Sequence, residues 1–157
     1  MNITKAVAHI KGSREYPKLH GCVVFTQTEN GVLVTAQIFG LPDNNEYRTE
    51  VFAFHIHNGM SCTGNREEPF ADANGHYNPQ GYPHPYHAGD LPPLFSNNGY
   101  AYMSVVTNRF NLREVIGRVV IIHKNVDDFS TQPAGNAGVK IACGKIKWNN
   151  KYFIPKY

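Results

Sequence analysis

The chain has 157 residues, 41% hydrophobic, 12% aromatic and only 17% charged, with 14 glycines and 10 prolines. That length suits one domain, 1–157, with a core of its own, and low charge with many turn-formers excludes a helical bundle in favour of short strands. The formal charge of +3 comes from scattered Lys and Arg with no basic run, which gives no footing for nucleic acid or a membrane surface but favours a small anionic substrate.

In chain order, residues 3–12 and 19–28 predict strands separated by GSREYPK. GVLVTAQIFGL (31–41) follows a Glu29-Asn30-Gly31 break, and Asn-Gly is a strong hairpin signal. A polar connection over 41–50 leads to VFAFHIH (51–57). With period two, Phe52, Phe54 and Ile56 point to one face, and Ala53, His55 and His57 to the other. Residues 58–96 show almost no alternation and predict a long loop, which needs something to order it. Alternation returns in 100–107, in 117–124, where Val120 and Ile122 share one face and Val119, Ile121 and His123 the other, and in 139–148. No helical periodicity and no internal repeat is present. The expectation is an all-β domain of seven or eight antiparallel strands.

No stretch approaches the roughly 18 apolar residues a membrane span needs. The first 16 residues, MNITKAVAHIKGSREY, lack the apolar centre of a signal peptide. The expectation is a soluble, unexported chain, cytoplasmic if native and periplasmic or extracellular if a signal was removed. Three cysteines, Cys22, Cys62 and Cys143, allow at most one internal disulfide and leave one thiol over.

The histidines carry the chemistry. The 58–96 loop supplies His76, His84 and His87, with Asp90 three residues after the last, a full tetrahedral set for zinc. The strands supply His55, His57 and His123, which suit copper as well as zinc. Three nitrogens and a carboxylate closing on one ion would also order a loop poor in apolar anchors.

FHIH, GHYNP, HPYHAGDL, VIIHKNVDD and GNAGVKIACG together resemble the copper,zinc superoxide dismutase family in order and spacing, over about residues 5–147. The resemblance implies an eight-stranded Greek-key barrel or sandwich, immunoglobulin-like in architecture, with a metal loop at about 58–96 and a second loop at about 124–139. It implies copper held by His55, His57, His76 and His123, and zinc held by His76, His84, His87 and Asp90, with His76 shared. Asp127 matches the carboxylate that joins the two sites by hydrogen bonds, and such outer partners fix ring orientation. Cys62 and Cys143 match the family's disulfide. Cys22 is then the spare thiol on the outer face, and His9 and His20 match no ligand position. The implied reaction is dismutation of superoxide to oxygen and hydrogen peroxide, with copper cycling between two oxidation states, His76 relaying a proton, and zinc ordering the loop.

Three features depart from the pattern. Lys140 stands where the family's GNAG-x-R motif carries the arginine that docks superoxide; the charge survives but the planar fork does not. The stretch DDFSTQPAGNAG (127–138) is several residues shorter than the family's loop and lacks its Glu and Lys, so steering is either reduced or relocated to a cation such as Lys124 or Arg66. The compact run from His57 to Cys62 resembles bacterial members, whose dimers, where they occur, use a different face. Monomer and homodimer stay open, with a copper donor protein as a further partner. A weakly active or non-catalytic metal-binding relative is the alternative, but all seven ligand positions and Asp127 are filled.

Overall fold

In the computed structural model, which describes residues 4–43 and 49–149, nine strand segments run in the order β1 (Lys5–Gly12), β2 (His20–Thr28), β3 (Gly31–Phe39), β4 (Thr49–Phe52), β5 (Phe54–His57), β6 (Leu94–Asn97), β7 (Ala101–Thr107), β8 (Val119–His123) and β9 (Lys140–Trp148). Helix among the described residues amounts to a 3-10 turn at Ala71–Ala73 and one α-turn, α1 (Leu112–Val115). No helix of the described residues is long and apolar enough to cross a membrane.

Seven strands form one antiparallel sheet in the order β5-β8-β9-β1-β2-β3-β7, and β4 pairs with β6 separately. β4 and β5 are one chain direction broken at Ala53. There the backbone N–H donates to the Asn125 carbonyl, while the carbonyl accepts from the His123 N–H. The strand thus leaves β6 and joins β8 at Ala53. Since β6 turns into β7 through the Asn97–Tyr100 bridge, the strands curl into an eight-stranded barrel when β4 and β5 are counted together.

The expected strand over 51–57 is therefore two segments. The loop expected to run to residue 96 ends earlier, because β6 occupies Leu94–Asn97, with Leu94 and Ser96 buried and Phe95 exposed. Part of the connection expected over 41–50, residues 44–48, lies outside the described residues, as does the start of the first expected strand. The Asn30-Gly31 turn is present: Gly31 has φ of 129°, and a Cβ there would meet the Thr107 carbonyl oxygen at 2.4 Å.

Two apolar clusters result. The barrel interior takes the inward residues of each strand, among them Ile10, Phe25, Ile38, Phe54, Ile56 and Ile146. A smaller cluster lies on the outer side of β8, where Val119 and Ile121 pack with Phe70, Ala73 and Cys143. The VVII run of β8 is thus covered on both faces, by the barrel and by the 58–96 segment.

Candidate metal centre

The 58–96 segment lies along the free edge of β5. Isolated bridges join His55 to Asp90 and His57 to His76. The Ile56 N–H donates to the Gly89 carbonyl, the Tyr77 N–H to the Ile56 carbonyl, and the Leu91 N–H to the Phe54 carbonyl. Backbone pairing, the outer cluster and a Cys62–Cys143 disulfide with a Cα–Cα distance of 5.7 Å all order this segment before any ion is considered. The outward imidazoles of β5 consequently do not meet solvent. His55 is fully buried, and His57 and His123 nearly so.

His55, His57, His84 and His123 each spend one nitrogen on the protein and leave the other for the centre. Nε2–H of His55 donates to Asp127 Oδ2 at 2.7 Å, leaving Nδ1 without a partner. His57 donates from Nδ1 to the Asn74 carbonyl at 2.7 Å, and His123 from Nδ1 to the Gly138 carbonyl at 3.1 Å. Their Nε2 atoms consequently converge to 3.0 Å from one another. His84 donates from Nε2 to Asp127 Oδ1 at 2.8 Å, and its Nδ1 faces Asp90 Oδ2 at 3.0 Å. His87 places Nδ1 3.2 Å from the same oxygen. His76 differs: Nδ1 lies 2.7 Å from Asp90 Oδ1, while Nε2 is buried with no partner.

Donor atoms of His55, His57, His76 and His123 all lie within 4.8 Å of one another, and so do those of His76, His84, His87 and Asp90. The two groups meet at His76 alone. Buried imidazole nitrogens with no hydrogen-bond partner are costly unless something binds them. Three such atoms, His55 Nδ1, His76 Nε2 and His84 Nδ1, face these two centres. The donor sets suit the borderline ions, imidazole for copper and imidazole with one carboxylate for zinc.

Charge supports the same reading. Burial pushes His55 down to about 4 and His123 to about 3, and His57 lies well below its ordinary range for the same reason. These rings are neutral at pH 7 and offer lone pairs. Burial alone would raise Asp90 and Asp127, but hydrogen bonds, from His76 to Asp90 and from His55, His84 and the Phe129 N–H to Asp127, outweigh it and keep both ionised. Gly135 has φ of 66°, and a Cβ there would stand 2.1 Å from Asp127 Oδ1, so only glycine lets the second loop reach that carboxylate.

A sequence profile described as copper/zinc superoxide dismutase (SODC) matches residues 19–146. The chain belongs to this family. It is 38% identical over 139 residues to a superoxide dismutase (Cu-Zn) of Legionella pneumophila, covering 83% of this chain and 80% of that one. It is 35% identical over 136 residues to superoxide dismutase (Cu-Zn) 2 of Aquifex aeolicus, covering 77% of this chain and 75% of that one. The Cu/Zn superoxide dismutase from Brucella abortus superposes with a TM-score of 0.77 at 26% identity, covering 91% of this chain and 99% of the other.

The seven metal-ligand candidates and Asp127 come together. Lys140 pairs with His123 across β8 and β9, but its ammonium lies 3.0 Å from Glu68 Oε1. Lys124 and Arg66 are exposed and form no ion pair among the described residues. Cys22 is a free, half-buried thiol whose pKa burial raises. His9 and His20 are exposed, and His20 donates to the Lys18 carbonyl.

Sequence reasoning missed four supports of this superoxide dismutase fold. The Asn74 and Gly138 carbonyls orient two rings. Arg109 Nη1 donates to the carbonyls of Pro85, His87 and Asp90 at 2.9–3.3 Å, gathering the loop that carries His87 and Asp90. Gln132 accepts from the His84 N–H and donates to the His84 carbonyl, tying the second loop to the first. Each of these contacts joins a side chain to backbone at least 15 residues away, which no spacing in the sequence marks.

Proposed function

We propose that the chain is one superoxide dismutase-like domain that converts two superoxide anions and two protons into molecular oxygen and hydrogen peroxide. The observation that carries this is the pair of four-donor groups sharing the single ring of His76. In this reading His55 Nδ1, His57 Nε2, His76 Nε2 and His123 Nε2 would hold copper, while Nδ1 of His76, His84 and His87 with Asp90 would hold zinc. Copper supplies the reversible one-electron chemistry when bound, and zinc has no redox role.

The chain's own residues do the rest. Asp127 fixes the His55 and His84 rings by accepting from each Nε2–H, so one carboxylate sets the orientation of a donor in both groups. His76 presents both nitrogens to the centres, so Nε2 is where it carries the proton that leaves with peroxide. Nδ1 of the same ring, 2.7 Å from Asp90 Oδ1 in the metal-free chain, keeps facing the second donor group. Lys140, next to His123, supplies the positive charge that draws the anion inward. The protein works as a monomer or a homodimer and receives copper from a donor protein, which suits nitrogens buried beneath a stapled loop.

The test is superoxide decay with protein loaded with both ions. The expected result is decay far faster than with metal-free protein and abolished by His76→Ala. Protein that binds both ions yet leaves the decay unchanged would overturn the proposal.

A further inference from the structure

The ion pair between Glu68 and Lys140, the strand partner of His123, is not accounted for by metal binding. Lys140 Nζ lies 3.0 Å from Glu68 Oε1, with the lysine side chain 14% exposed and the glutamate 61%. The turn that carries this carboxylate is fixed through its backbone. The N–H groups of Glu67 and Glu68 both donate to Asn65 Oδ1, and the Glu68 carbonyl accepts from the N–H of Asn65 and of Ala71. The Cys62–Cys143 disulfide ties this turn to β9 three residues from Lys140. The two charges are therefore carried on segments that the disulfide ties together. Lys140 is opposite His123 in the strand register.

We propose that Glu68 is a positioning residue that holds the ammonium of Lys140 and competes for it with the incoming anion, so that Glu68 lowers the affinity of the centre for superoxide. The inference rests on Lys140 being the docking cation of the proposed dismutase. A lysine ammonium is a compact point charge with three donors. Here one donor and much of the field are directed to a carboxylate that the anion must displace or share. Because Glu68 is largely exposed, the pair is weak and screened by salt, so it tunes the approach without blocking it.

The experiment titrates azide, a small anion that is not turned over, into copper- and zinc-loaded protein and follows the visible absorption of the copper(II) form. It compares wild type, Glu68→Gln, Lys140→Met and the double variant. Glu68→Gln is expected to tighten azide about two- to fivefold at low ionic strength, with the gain shrinking as salt rises. In the Lys140→Met background the same substitution is expected to change little. An unchanged affinity in Glu68→Gln overturns the inference. Equal tightening with and without Lys140 overturns it too, because Glu68 would then act as a general negative charge. If azide follows the expected order but no protein removes superoxide, the competition of Glu68 with a small anion for Lys140 stands and the dismutase reading fails.

Discussion

Removing the disulfide perturbs the fold strongly while leaving every metal donor in place. Cys62 and Cys143 are 81 residues apart in sequence, and the bond closes a loop holding β6, β7, α1, β8 and most of the metal-binding segment. In the chain-entropy account, closing a loop of that length removes roughly 15 cal/mol/K from the unfolded ensemble, or about 4.5 kcal/mol at 25 °C. Cys143 also belongs to the small cluster with Phe70, Ala73, Val119 and Ile121, so its loss removes packing from the outer side of β8. For Cys62→Ala/Cys143→Ala, denaturant unfolding of metal-free protein at pH 7 should show a loss of about 2–5 kcal/mol. Against typical total stabilities of about 5–15 kcal/mol, that leaves a marginal fold. A loss below about 1 kcal/mol would refute the reasoning and place the order of the 58–96 segment in its backbone pairing with β5 alone.

Three further outcomes follow from the site. Metal-free protein should lose stability as pH falls: His55, His123 and His57 titrate lower folded than their unfolded value of about 6.5, so the unfolded state binds more protons in between. Thermal unfolding midpoints should be steady above pH 7 and drop progressively from about pH 6.5 towards 4 and below; a flat profile would contradict buried neutral imidazoles. Asp127→Ala should weaken retention of both ions about 10- to 100-fold in chelator competition, because His55 and His84 lose a shared anchor; weakening of one ion alone would separate the two groups. His123→Ala should lose copper and activity while keeping zinc and the fold, as judged by metal content and circular dichroism.

The sequence carried the barrel and the donors unequally. Alternation in 51–57 and 117–124 placed the inward and outward faces correctly, and the same period that sends Phe54 and Ile56 into the barrel sends His55 and His57 to its outer wall. What alternation did not convey is that this outer wall is itself interior, covered by a segment with no periodicity of its own. The break at Ala53 was illegible because it depends on hydrogen bonds to residues near His123, far along the chain. β6 escaped notice because four residues, LFSN, give too short an alternation. Yet the Asn98-Gly99 turn that follows, with both residues at positive φ, was a usable hairpin signal. Lys140 was recognised as a departure, but its engagement by Glu68 depends on a turn that Asn65 organises, which no spacing reveals.

The central claim is two ions held by seven side chains that share one ring. Metal analysis of protein refolded with copper and zinc together, then freed of loosely bound ions, tests it most directly. One copper and one zinc per chain is the predicted result. A content well below one for either metal would contradict the shared centre at His76.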